Sequence, residues 1–302
     1  ELFEPSTSIL ASYQQPTGSR FGGDALYNGE NRRSGALISY YFNTKKSNDT
    51  LNKELKDSLF LNIYDDERLI RTLKKKSPKE SGFYKWTWRM DEKGKERPSR
   101  KIRKNKFESS GVSVKEGNYK IELTYNDEKS YSSINVINDP RVDVNENIDQ
   151  QYNSLKEIDD LLQKSADVVK QLVESKNIAN GLKSRLNKLD KDKFKDEIKL
   201  SSEMVKQTDS LVALFLGKID KRQGITRNKE SNVQEKIYKA YYYISSRPNG
   251  NTITETNLMK HANNSLSKAI KVVNAFFKEK WKSYREQMDK LEYSEFKETI
   301  EF

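Results

Sequence analysis

The sequence predicts a two-domain α+β chain, an antiparallel β-sandwich followed by an up-down four-helix bundle. Three observations carry that expectation. The chain has 302 residues, enough for about two domains at roughly 100–200 residues each. Its apolar residues alternate with a period of two as far as Val136 and recur near every 3.6 residues afterwards. The period changes at Asn138-Asp139-Pro140-Arg141, a chain-reversal signal.

Residues 1–34 hold Pro5, Pro16, Gly18, Gly22, Gly23 and Gly29 with little periodicity, and read as an extended arm leading from a preceding domain. The start at Glu1-Leu2-Phe3, with neither an initiator Met nor a signal segment, reads as a piece of a longer or processed chain. Over residues 35–141 the alternation is clear in Ala36, Ile38, Tyr40 and Phe42, in Leu59, Leu61 and Ile63, and in Tyr119, Ile121, Leu123 and Tyr125. Six or seven such strands, punctuated by turns such as Tyr64-Asp65-Asp66-Glu67 and Glu116-Gly117-Asn118, fit a sandwich of the Ig-like kind. Trp86 and Trp88 share one face of a strand and are expected to anchor its core.

Residues 142–302 read as the bundle. Leu155, Ile158, Leu162, Ala166, Val169 and Val173 form a first helical stripe. Leu182, Leu186 and Leu189 open a second, which resumes beyond residues 190–195 through Ile198, Val205, Leu211 and Phe215. A third carries Val233, Ile237, Ala240 and Ile244, and a fourth runs from about Thr254 through Leu266, Val273, Phe276, Trp281, Tyr284 and Leu291.

Composition excludes several kinds of chemistry. Without cysteine there is no disulfide, thiolate nucleophile or cysteine-bound metal, and His261 is the single histidine, so two-histidine sites are excluded. No Gly-rich phosphate loop occurs. Asp190, Asp192, Asp196 and Glu197 lack the central glycine of a calcium loop, and Asp65-Asp66-Glu67 reads as turn chemistry. His261 is expected to satisfy a carbonyl or carboxylate across the bundle. No cofactor, metal or catalytic residue is predicted, and no apolar run is long enough to span a membrane.

The net charge is +11, of which +7 falls in residues 1–141. Its densest part is Lys93, Lys95, Arg97, Arg100, Lys101, Arg103, Lys104 and Lys106, opposed only by Glu96. These eight residues, with Tyr242 of the Tyr241-Tyr242-Tyr243 triplet, are the candidate partner-binding set: cations for an acidic surface and a ring for its apolar part. No aromatic residue interleaves the basic run, which argues against a platform that stacks single-stranded nucleic acid; nucleic acid is the less favoured partner, and an acidic protein the expected one.

Several segments resemble a family. Residues 21–24 (FGGD), 27–31 (YNGEN) and 35–42 (GALISYYF) resemble the segment that follows the β-propeller in large sortilin-like repeat proteins of Bacteroidota, described as glycosyl-hydrolase-like or sialidase-like. Residues 61–73 (LNIYDDERLIRTL) look like that family's strand–turn–strand hairpin, and residues 85–90 (KWTWRM) like its Trp-containing strand. Residues 114–123 (VKEGNYKIEL) and Asp139-Pro140-Arg141 resemble its later motifs. The series is also similar to Ig-like domains of the flagellar hook-capping type. Asn31-Arg32-Arg33-Ser34 and Glu116 stand where the family has prolines. The resemblance implies the C-terminal part of a secreted, cell-surface propeller protein, with any catalytic face on its own N-terminal propeller. The expected function is a non-catalytic docking module for a protein of the bacterial cell envelope. The alternative is an accessory part of a glycan hydrolase or carbohydrate-binding protein that contacts sugar through Trp or Tyr.

Overall fold

The computed structural model describes residues 1–11, 34–44, 58–102, 107–143, 148–219, 231–246 and 250–292. By contact the chain divides into two compact units, Glu1–Lys95 with Asn105–Tyr152 and Glu96–Lys104 with Asn153–Phe302. The first is built on strands and the second on helices.

The strands are β1 (Ser8–Leu10), β2 (Ala36–Phe42), β3 (Ser58–Asp65), β4 (Arg68–Lys76), β5 (Gly82–Trp88), β6 (Asp91–Lys93), β7 (Ser110–Ser113), β8 (Gly117–Tyr125) and β9 (Glu128–Asn138). Five of them form one curled sheet in the order β1-β9-β8-β3-β4, while β2 pairs with β5 and β6 with β7. The β1–β9 pair is parallel, with Ser8 opposite Val136; the other pairs are antiparallel. This overturns the expected Ig-like antiparallel sandwich. The principal sheet is mixed, and the other two sheets have two strands each. Alternation reports which face of a strand is buried, but not which strand lies beside it. The partition into sheets is decided by pairings distant in sequence, such as Ala36 with Trp88.

The inward faces match the spacing of the apolar residues. Leu59, Leu61 and Ile63 of β3 are fully buried with Ile121 of β8 and Ile38 of β2, and Trp86 and Trp88 lie in the same apolar cluster. Trp88 meets Tyr119 edge-on at 5.5 Å, and its indole N–H donates to the Asp91 carbonyl at 3.0 Å, so the ring is buried without stranding its donor. Burying roughly 200 Å² of ring at about 25 cal/mol per Å² contributes on the order of 5 kcal/mol of transfer free energy. Two hairpins turn through residues in the left-handed region, Asp66 (φ 51°) and Asn126 (φ 52°), types whose side chains tolerate it. The acids at 65–67 therefore make a turn, with Asp65 accepting from Arg68 at 2.8 Å.

The helices are α1 (Ile148–Leu189), α2 (Lys195–Leu216), α3 (Val233–Ser245) and α4 (Ile253–Phe276), the last continuing through a π-turn (Phe277–Trp281) into α5 (Lys282–Met288). Their apolar residues form a single cluster that includes Ile158, Leu172, Leu186, Phe215, Ile237 and Leu266. One boundary differs from expectation: Leu182, Leu186 and Leu189 belong to α1, which passes Gly181 unbroken for 42 residues. A helical glycine costs about 1 kcal/mol, which the burial of Ala179, Leu182 and Leu186 outweighs. The break comes at Asp190, whose carboxylate accepts the backbone N–H groups of Asp192 and Lys193 at 3.0 and 2.9 Å. Asn232 caps α3 by accepting from the Glu235 N–H, and Thr252 and Glu255 form a capping box on α4.

The π-turn also has a sequence cause. The buried stripe of α4 steps through Met259, Ala262, Leu266, Ala269, Val273 and Phe276. Continued at the same interval it would meet Lys280 and Ser283, but the inward residues are Trp281 and Tyr284. One surplus residue accommodated as a π-turn restores the register.

Candidate functional site

The basic run leaves the strand unit through the short β6–β7 ladder. The Gly94 N–H donates to the Ser109 carbonyl at 2.8 Å. At Gly111 a Cβ would lie 2.8 Å from both the Glu92 carbonyl and the Gly94 Cα, so only glycine permits the two strands to close this tightly. Beneath the ladder, Arg68 donates to both Glu92 oxygens (3.3 and 3.0 Å) and to Asp65, and the Tyr152 hydroxyl donates to Glu92. Arg71 reaches the carbonyls of Glu92, Glu108 and Ser109 and pairs with Asp91 at 3.8 Å. Burial, and after it the hydrogen bond to Glu92, pushes the Tyr152 hydroxyl up to about 12. The carboxylate of Glu92 is committed to Arg68 and Tyr152, so the cluster braces the root of the basic segment.

Glu96–Lys104 groups with the helices. The Glu96 N–H donates to the Gln163 side chain of α1 at 2.9 Å. The Arg97 guanidinium lies 5.8 Å from the Tyr238 ring centroid on α3, within cation–π range. Arg100 donates to the carbonyl of Gly217, the C-cap of α2, where the negative end of the helix dipole favours a cation. Lys101 is exposed.

Tyr242 follows Tyr238 by four residues on α3, so the two share a helix face, and Tyr242 is 73% exposed. Arg97, Arg100, Lys101 and Tyr242 therefore contribute to a basic and aromatic surface of the helical unit. Lys93, by contrast, is in β6 and pairs with Glu108 at 3.2 Å, and Lys95 is exposed beside it. Arg103, Lys104 and Lys106 lie outside the described residues. Gln163 and Tyr238, which hold the segment, are not singled out in the sequence, and Gly217 stands out there only as the close of a helix, not as a site residue; the helical spacing of Tyr238 to Tyr242 was the available signal.

Two further surfaces were not foreseen. On the outward side of the curled sheet, Tyr131, Glu122, Asn62 and Thr72 stand opposite one another on β9, β8, β3 and β4. Asn62 donates to Glu122 at 3.0 Å and Thr72 to Asn62 at 3.0 Å, while Lys120 lies 5.9 and 5.6 Å from the Tyr64 and Tyr131 rings. Burial opposes ionisation of Glu122, but hydrogen bonds from Asn62, Lys129 and Thr124 outweigh it and hold the carboxyl below its ordinary value. In the helical unit, an apolar groove of about 490 Å³ runs between α2 and α4.

Trp86 and Trp88 are buried, which removes both rings from any contact with sugar. His261, expected to satisfy a carbonyl or carboxylate across the bundle, is exposed on α4, where it lines a groove with Glu235, Lys236, Lys239, Leu258 and Lys268. Among the described residues no three His, Asp or Glu side chains converge as a metal-ligand set, and no helix is long and apolar enough to cross a membrane. No protein-family model matches the chain, and no curated protein sequence is similar to it.

Proposed function

We propose that the chain is a non-catalytic docking module that binds an acidic protein through Arg97, Arg100, Lys101 and Tyr242. The observation that carries this reading is the anchoring of Arg97 over Tyr238, one helical turn from the exposed Tyr242 ring. Anchored cations beside an exposed aromatic ring suit a protein interface: the ring supplies buried area and the charges steer an acidic partner. Arg100, held at the α2 C-cap, has guanidinium donors to spare for a partner carboxylate.

The setting we propose rests on the motif series. It is that of the C-terminal part of a secreted, cell-surface propeller protein of the sortilin-like kind, working in a cell-envelope complex beside its own propeller. The segments LNIYDDERLIRTL, KWTWRM and VKEGNYKIEL support it, and they form the β3–β4 hairpin, β5 with its exit, and the approach to and first part of β8.

The test places a photo-crosslinking residue at position 242 of the full 302-residue chain and exposes it to solubilised cell envelopes. One acidic protein should be captured, less of it at raised salt, and none by the Arg97→Glu/Arg100→Glu variant. The same probe placed at Tyr131, exposed on the strand unit, is the control. Equal capture there, or capture indifferent to the two arginines, refutes the reading.

A further inference from the structure

The α2–α4 groove is not accounted for by the surface just described. Its floor is Leu211 and Phe276, both buried, and its walls carry Leu214 at 42% and Val272 at 50% exposure. Isolated exposed apolar side chains are ordinary, but these two flank a continuous apolar floor from opposite helices. The helices run antiparallel here: Ser201 meets Tyr284 at 2.9 Å, and beyond that point the groove is lined in turn by Lys206 and Lys280, Leu211 and Phe276, Leu214 and Val272. Three residues past Leu214 comes Gly217, whose carbonyl holds Arg100. Lys206 and Lys280 thus line one end, with Glu279 the one acid among the described lining residues, and Arg100 is held on the α2 wall beyond the other, three residues past Leu214.

From this geometry we infer that the groove seats an amphipathic helix of the docked partner, apolar along one face and acidic at both ends. The inference rests on the docking reading and adds the recognition element to it. From Lys206 to Gly217 the α2 wall spans about 16 Å at 1.5 Å per residue, which matches about three helical turns. Both walls are helices whose backbone groups are already paired, so an extended peptide over the apolar floor would find no ladder to join. A helix arrives with its own backbone bonds made and lays side chains at i, i+3 or i+4, and i+7 along the floor. The ends of the groove then choose acidic flanks. On the α4 side the wall passes into the π-turn, an irregularity that recurs at functional sites, and Glu279 and Lys280 of that turn line the groove.

The test is selection of a phage-displayed random peptide library on the immobilised full chain. Enriched peptides should be helical amphipaths with acidic residues at both ends. Their binding should fall at least about tenfold with Leu214→Glu or with Val272→Glu, the scale of losing a central contact. Lys206→Glu/Lys280→Glu should weaken the acid-flanked peptides and spare versions with neutral flanks. Both wall positions are half-exposed, and unchanged thermal melts confirm that the variants fold; having one on each helix keeps the test intact if either misfolds. Enrichment of extended or acid-free peptides, indifference to both wall variants, or no enrichment overturns the inference. Peptides lost with Arg97→Glu/Tyr242→Ala but indifferent to the groove overturn it while leaving the docking reading standing.

Discussion

Removal of Lys278, an exposed residue of the π-turn, is expected to leave α5 seated where it is. If the turn exists because the sequence carries one residue too many, the deletion closes it into regular helix. Trp281, Tyr284 and Met288 then fall in register with the α4 stripe of Ala269, Val273 and Phe276, at steps of three and four. Nothing buried is lost, and one regular backbone hydrogen bond is gained, so stability should change by no more than about 1 kcal/mol. The contrary account, in which the π-turn is fixed by local packing, predicts that α5 rotates by about 100°. That turns the buried Tyr284 outward at about 3–5 kcal/mol and strands the Ser201 hydroxyl at a further 1–3 kcal/mol or so. Urea denaturation followed by circular dichroism separates the two, with deletion of the exposed Lys271 in regular helix as the control that must misregister the stripe. A loss above about 3 kcal/mol for the Lys278 deletion refutes the surplus-residue explanation.

Two further outcomes are expected. In a double-mutant cycle, Ser201→Ala and Tyr284→Phe should each cost about 1–2 kcal/mol, and the double variant less than their sum, because the second change removes a partner already lost; strict additivity in urea melts would mean the hydroxyls are not coupled. The second concerns pH. The Tyr152 hydroxyl is raised to about 12 by burial and then by Glu92, so its contribution to stability is fully present below about 10 and is lost as pH climbs toward 12. Tyr152→Phe should flatten the decline measured between pH 10 and pH 12, whereas an unchanged slope would dissociate the alkaline loss from this group.

Much of the secondary structure was legible, for local reasons. The shift from period two to period 3.6 at 138–141 separates β9 from α1, and alternation placed Leu59, Leu61, Ile63, Trp86 and Trp88 inside. What failed was non-local. Nothing in Ser8–Leu10 announces a strand, because it becomes one only by pairing in parallel with residues far along the chain, Val136 to Asn138. Leu182, Leu186 and Leu189 read as the start of a new stripe but continue α1, because the burial that carries the helix past Gly181 is tertiary whereas propensity is local. At the candidate site the sequence supplied the charges of Arg97, Arg100 and Lys101 and the ring of Tyr242, but not the neighbours Gln163, Tyr238 and Gly217 that hold the segment. The surplus residue between Phe276 and Trp281 stood in the spacing all along; it reads as an irregular stripe until the π-turn explains it.

The position of β4 at the end of the sheet order bears on how the protein withstands crowding. A terminal strand offers unpaired donors and acceptors to any passing chain, the first step toward runaway cross-β stacking. Here the Thr72 N–H is already taken by the Glu108 carboxylate at 2.8 Å, and the strand closes with the exposed Lys74, Lys75 and Lys76. A second copy adding itself along this border with the strand ends in register would lay three ammonium groups against three more, with a carboxylate to be displaced first. The sheet therefore carries its own barrier to polymerisation, made from one acid and a short run of amines.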